Sequence, residues 1–217
     1  MKGNDCMTNQ RQQAKTEAKR AFLIQQAARC LAEKGYAHVS LRDIARESGV
    51  SLGILHYYFA NKEELLLAVI QSYKNRFIVD VEQALLQRPV TGWMDRLTSV
   101  LRDALARERN THRLWYDFQV QAMYHGPFRT EVNQIRNRLL ELIDRAVQLL
   151  QAEGAVSNVP YRRELLATAL YSLIDGLFFQ ALLSEDEQAE EAMVRFEQGL
   201  SAVLAPFLPS SETRCRT

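Results

Sequence analysis

Two short helices joined by a glycine turn limit the architecture of this chain more than any other feature. The stretch SLRDIARESGVSLGILHYYFANK, Ser40 to Lys62, opens on a good N-cap, with Asp43 three residues on as a variant of the capping box. Leu41, Ile44 and Ala45 then recur at helical spacing, and Ser48-Gly49 ends the segment. Gly49 takes positive φ in the turn without a steric penalty. Val50 is an apolar plug, and Ser51 caps a second helix to about Tyr58. A small Ala45 at the helix crossing, a Gly49 four residues later, and Val50 and Leu55 filling the corner make a helix-turn-helix.

The rest of the chain reads as helix. Residues 1–13 are polar and predict a disordered tail. A helix follows from about Ala14 to Lys34, with Phe22, Ile24, Ala27, Ala28 and Leu31 on its inner face. Gly35 ends it. Asn61 caps a long helix from about Lys62 to Gln87, favoured by Glu63 and Glu64 in its first turn. Pro89 and Gly92, Gly126-Pro127, and Gly154 to Pro160 divide the remainder. Apolar steps of three and four predict helices over about Trp93–Arg107, 112–123, Phe128–Ala152, Tyr161–Leu183 and 187–204. No alternating strand pattern, hairpin signal or solenoid period occurs. The expected fold is all-α with about nine helices: an N-terminal three-helix head (14–60), a body (61–208) and a disordered tail (209–217).

Charge is unevenly placed. Residues 1–62 carry 10 Lys/Arg against 5 Asp/Glu, while the whole 217-residue chain has a net charge of only +1. A basic head on a mildly acidic body fits nucleic-acid binding. The three cysteines, Cys6, Cys30 and Cys215, are too scattered for a disulfide framework or a zinc site. Cys30 falls among apolar neighbours as a buried or half-buried thiol. No apolar run approaches the roughly 18 residues of a membrane span, and the N-terminus lacks a signal-peptide core. The expectation is a cytoplasmic chain with no membrane partner. No catalytic Ser-His-Asp order, metal spacing or phosphate loop occurs, and His38, His56, His112 and His125 are scattered. Neither an enzyme nor a cofactor or metal is expected.

The block from Ile24 to Leu66 resembles the tetracycline-repressor (TetR) family of bacterial transcription regulators. The residues that carry it are Ile24, Ala27 and Ala28; Glu33-Lys34-Gly35-Tyr36; Val39 through Ala45; Gly49-Val50-Ser51, Gly53 and Leu55; and Tyr58-Phe59, Lys62-Glu63 and Leu65. Many positions agree in register over about a fifth of the chain. The body, at Ile174-Asp175-Gly176-Leu177, is similar to the branch that includes the choline-responsive repressor of betaine synthesis. The resemblance implies three DNA-binding helices and a body that dimerises and binds an effector. Family members often have Tyr after the Leu55 position. Here His56-Tyr57-Tyr58 stands there, so Tyr57 is one source of the phosphate-binding hydroxyl, and His56 meets phosphate, meets a base edge or packs.

Candidate DNA contacts follow. Ser40, Ser51 and Lys62 mark helix starts, where free N–H groups attract phosphate. Arg42 reaches phosphate or a guanine edge, and Leu52 or Ile54 meets a thymine methyl. Gly53 lets the helix approach the duplex, and His56 and Tyr57 complete the set. Two-fold operators call for a homodimer. The expected interface is the last helix pair, through Leu166, Ala169, Leu173, Gly176, Met193, Phe196, Leu200 and Val203. An unknown small-molecule effector would enter an aromatic-rich pocket. Its candidate lining is Trp93, Trp115, Phe118, Gln119, Met123, Phe128, Tyr171, Asp175 and Phe178, although such a stripe also builds plain core. The function expected is a ligand-responsive regulator, a repressor released from a palindromic DNA operator. The alternative is an activator, or a protein-docking regulator without a small ligand.

Overall fold

The structure, a computed structural model, describes residues 3–157, 162–184 and 188–207. Nine α-helices and no strand occur among them. They are α1 Gly3–Lys34, α2 Leu41–Glu47, α3 Leu52–Tyr58, α4 Lys62–Leu86, α5 Trp93–Arg107, α6 Arg109–Ala122, α7 Gly126–Ala152, α8 Arg163–Leu183 and α9 Ala189–Leu204. A 3-10 turn follows at Ala205–Phe207.

One expectation at the chain start is corrected. Residues 1–13 were expected to be disordered, yet α1 is helical from Gly3. Gln, Lys, Arg and Ala are good helix formers, so a polar composition without a core-facing stripe still extends a helix already anchored downstream. The expected disordered tail at 209–217 lies outside the described residues.

Helix α4 is the strut of the molecule. It packs against α1 at the head end and against α5 and α7 in the body. Its buried residues run from Leu65, Leu66 and Val69 through Tyr73 and Lys74 to Ile78, Val81 and Leu85. Helix α8 packs on α7 and α9 and also meets α6 and α5. Helix α6 lies across α1 and α7, joining head to body. The α4–α5 turn is held by Arg96, whose guanidinium donates to the carbonyls of Ala84 (3.0 Å), Thr91 (2.7 Å) and Gln87 (3.2 Å). The bonds to Ala84 and Gln87 satisfy carbonyls at the end of α4 that lack a helical partner, and the bond to Thr91 fixes the connecting turn.

A second correction concerns α8. The expectation that no segment is apolar enough to cross a membrane does not hold by length and composition: Arg163–Leu183 reaches a mean hydropathy of 1.6 over a membrane-length window. Two apolar stripes share this helix. Leu166, Ala167, Leu170, Phe178, Ala181 and Leu182 face the core, and Leu165, Leu173, Phe179 and Leu183 are exposed. The sequence window adds both stripes together, which is why hydropathy alone overstates how much of the helix one chain can bury. Where α9 crosses α8, Gly199 packs against the Leu177 side chain, which would have to shift for a Cβ there, 2.8 Å from Leu177 Cδ2.

Candidate nucleic-acid interface and internal cavity

The head is built from local hydrogen bonds. Ser40 Oγ accepts from the Asp43 amide (3.3 Å), and Asp43 Oδ2 accepts from the Ser40 amide (3.0 Å) and from Ser40 Oγ (2.5 Å). This reciprocal cap closes the first turn of α2. The Ser40 hydroxyl, its backbone N–H and the Arg46 guanidinium hold the Asp43 carboxyl down at about 2. Gly49, at φ 64°, reverses the chain, and the Val50 amide reaches back to the Ala45 carbonyl (3.0 Å). Ser51 Oγ accepts from Ile54 N at the start of α3 (3.2 Å), and Asn61 Oδ1 accepts from Glu64 N at the start of α4 (2.8 Å).

This framework sorts the side chains. Ile44, Leu55 and Phe59 are fully buried and Ala45 nearly so. Ser40, Arg42, Ser51, Gly53, Ile54, His56 and Tyr57 are exposed, with Tyr57 at 77%. Leu52 is half-buried against the core. A Cβ on Gly53 would meet only Ser51 Oγ, at 3.8 Å. The fold of the head therefore does not demand glycine there, and the bare backbone lies on an outer face. Tyr57 and Tyr58 meet edge to face, with ring centroids 5.0 Å apart.

Lys62 differs from the other candidates. Its ammonium donates to the Tyr36 carbonyl and lies 3.9 Å from the Tyr36 ring centroid. Burial lowers its pKa, opposed by Glu63 and Asp117. Tyr36 is in turn tied to the body: its amide donates to Asp117 Oδ2 on α6 (3.1 Å), and its ring meets Phe128 of α7 edge to face. Lys62 thus belongs to the joint between head and body, a role its position at a helix start did not reveal.

Inside the body lies a cavity of about 90 Å³. Its walls include Lys74, Phe77 and Val81 of α4, Leu97 and Leu101 of α5, His112, Trp115 and Tyr116 of α6, Leu139, Leu142 and Ile143 of α7, and Tyr171, Asp175 and Phe178 of α8. Four expected residues, Trp115, Tyr171, Asp175 and Phe178, are thereby brought together. Trp93 instead lines a neighbouring cavity of about 60 Å³. Phe118 and Phe128 are buried and meet at a tilt with centroids 4.8 Å apart, and Phe128 in turn meets Tyr36 at the head. Met123 is 61% exposed at the end of α6. Gln119 is half-buried and lines neither cavity. For these last four residues the pocket assignment is corrected: aromatic density along α6 and α7 serves packing as well as the cavity.

The cavity's polar groups are few. The Tyr116 hydroxyl donates to Asp175 Oδ1 and to the Asp175 carbonyl, both at 3.1 Å. Burial raises the pKa of Asp175, against the hydroxyl of Tyr116 and the charge of Lys74. Burial also pushes the Tyr171 phenol up to about 12 and drives His112 down to about 2. His112 is a neutral imidazole hydrogen-bonded through Nε2 to the Tyr73 hydroxyl and packed on Phe178 at 4.5 Å. Lys74, which sequence reasoning passed over, is 4% exposed, and burial brings it down to about 7. Its position among the core steps of α4 was the available signal.

The dimer candidates divide in the same manner. Ala169 and Leu173 are exposed, and Gly176 and Met193 are half-buried. Leu166, Phe196 and Leu200 are buried in this chain's own core, which corrects their assignment to an interface. Apolar steps in sequence mark a stripe without saying whose core it fills. The side chain of Val203 lies outside the described residues.

Residues 23–69 match the family described as bacterial regulatory proteins, tetR family. Residues 93–205, just over half the chain, match the BetI-type transcriptional repressor C-terminal domain. The chain belongs to the tetR family of bacterial regulatory proteins. It is a transcriptional regulator with a body of the BetI type. The HTH-type transcriptional regulator BetI of Agrobacterium fabrum is 29% identical over 166 residues, 75% of this chain and 76% of that one. BetI of Rhizobium meliloti is 27% identical over 180 residues, covering 81% and 84%. Among solved structures, a putative transcriptional regulator from Saccharomonospora viridis in complex with choline superposes with a TM-score of 0.76. It is 23% identical and covers 89% of this chain and all of that one. A putative regulator from Pseudomonas aeruginosa PAO1 gives a TM-score of 0.70 at 20% identity, covering 93% and 95%. These neighbours share the all-α fold.

Proposed function

We propose that this tetR-family chain is a repressor that binds a palindromic operator as a two-fold dimer and is released by a small molecule held in the body cavity. One observation carries the reading. Helix α4 begins in the head at Lys62 and, about 18 Å further along its axis, places Lys74 in the cavity wall. Any ligand that displaces this part of α4 moves the head. The aromatic series Trp115–Phe118–Phe128–Tyr36 gives a second packed connection to the joint at Lys62. Release follows only if the ligand binds the displaced state better than the DNA-bound one.

On DNA, Arg42, Ser51, Gly53, Ile54, His56 and Tyr57 supply the outward face of the head, and Ser40 its flanking phosphate contact. The partner is a second copy. Leu165, Ala169, Leu173, Phe179 and Leu183 of α8 and Val194 of α9 form an exposed apolar face that a four-helix seam would cover. The neighbour from Saccharomonospora viridis, solved in complex with choline, supports the view that a protein of this fold takes a small molecule. Gel-shift titration of the purified protein on DNA flanking its own coding region, with and without a metabolite panel, tests the proposal. A shifted complex that one metabolite dissolves is the expected result. Binding to no flanking DNA, or binding that no metabolite alters, would overturn it.

A further inference from the structure

The cavity contains a buried amine with no bonded partner. Among the described residues, Lys74 Nζ has no hydrogen-bond acceptor and no ion pair, although it is buried and lines the cavity. What surrounds it is aromatic: the Trp115 ring centroid at 4.2 Å, Phe77 at 5.1 Å and Tyr73 at 5.4 Å. Aromatic faces of this kind are what recognise a quaternary ammonium ligand. Here the chain's own Lys74 Nζ occupies them, so a cationic ligand meets a filled cage. Asp175, across the cavity, attracts Lys74 without pairing with it, and its Oδ1 is engaged by Tyr116.

The other end of the site is apolar. The 60 Å³ cavity adjoins the first across Leu85, Leu97, Ile143 and Ile174 and is lined further by Trp93, Val147, Leu150 and Leu166, with no charged side chain in its lining. A charged head at one end and a hydrocarbon slot at the other describe an amphipathic guest. The geometry points to a short monocarboxylate as the effector of this regulator, its carboxylate on Lys74 and its tail passing the Leu85–Leu97–Ile143–Ile174 wall into the second cavity. An ammonium–carboxylate pair formed there satisfies a buried donor that otherwise has no partner. This rests on the cavity being the effector site.

Calorimetric titration of the full-length protein with butyrate, hexanoate and benzoate, each beside its matched alcohol, and with choline, tests both levels separately. The expected result is that at least one carboxylate binds roughly tenfold or more tighter than its alcohol, as a buried charge-assisted bond requires, while choline neither binds nor competes. Lys74→Met should remove that preference and keep the alcohol, and Lys74→Gln should do the same if the methionine variant does not fold. Because the readout is a ratio of two ligands on one protein, a general loss of fold cannot imitate it. Choline binding in the cavity, or a carboxylate preference that survives loss of Lys74, overturns the carboxylate assignment and leaves the cavity reading standing. If no probe binds and the fluorescence of Trp93 and Trp115, one in each cavity lining, is unchanged by all of them, the cavity reading falls as well.

Discussion

The DNA-facing head and the body cavity are assembled by opposite rules. In the head, each defining contact joins residues a turn apart: Ser40 to Asp43, Ser51 to Ile54, Asn61 to Glu64, Val50 back to Ala45. In the cavity, five helices meet, and Lys74, Trp115 and Asp175 come from three of them. A recognition surface made locally holds its shape as long as its small core is intact. A cavity made at long range shifts when any wall shifts, which suits a site whose occupancy must be felt elsewhere.

Substitutions can break or sharpen that contrast. The largest effect should come from Phe59→Ala. Phe59 is fully buried beneath the helix-turn-helix, and its truncation should cost about 3–5 kcal/mol. Operator binding should vanish, with the loss of stability read by chemical denaturation. Intact DNA binding in this variant would show that the head does not depend on its own core.

Lys74→Met should act in the opposite direction. The lysine titrates at about 7 when folded against 10.5 when unfolded, because burial disfavours its charge. Between those values the unfolded chain holds the proton and the folded chain does not, so stability rises with pH across the window. Below about 7 the cost of the buried charge is present in full. Removing it should stabilise the protein by about 1–4 kcal/mol on the acidic side, with the gain fading as pH nears 10.5. Thermal melts across this range check the sign; a gain independent of pH would mean that Lys74 is not the titrating group.

At the joint between the two regions, Lys62→Ala removes a hydrogen bond and a cation–π contact to Tyr36. A loss of about 1 kcal/mol is expected. If Lys62 also meets phosphate, affinity should fall alike on all sequences and the salt slope should flatten by about one. An unchanged slope with lowered stability would make it purely a hinge clamp.

The smallest effects belong to the outer face. Tyr57→Ala should weaken operator binding while stability stays within about 0.5 kcal/mol. Gly53→Ala should weaken binding too, yet raise stability by up to about 1 kcal/mol, since a helix prefers alanine and the added Cβ has room. Parallel gel-shift and unfolding measurements should therefore move in opposite directions for Gly53→Ala.

Much of the head was legible because its signals are short-range. The Ser40 cap, the Gly49 turn and the buried Leu55 lie where the sequence places them. Helix boundaries in the body were nearly as legible, since α5 spans Trp93–Arg107 as the periodicity predicts. Faces were harder to read. In α1 the buried stripe is Leu23, Ala27, Cys30 and Leu31, and Phe22 is 38% exposed. One residue of phase error turns a helix by about 100°, enough to exchange an inner position for an outer one. A different ambiguity placed Phe118 and Phe128 in the pocket, and Leu166, Phe196 and Leu200 in the dimer seam: all five are buried, and periodicity does not say which core or cavity a buried face meets.

The sequence by itself determined an all-helical chain, the position of its helix-turn-helix and most of the outward residues of α2 and α3, because caps, turns and periodicity act over a few residues. Only the tertiary structure decided which aromatics enclose space and which fill it, that Lys62 clamps Tyr36, and that Lys74 sits unpaired beside Trp115. Those outcomes depend on how five helices pack, and the free energy of burying a charge is set by neighbours far away in the chain.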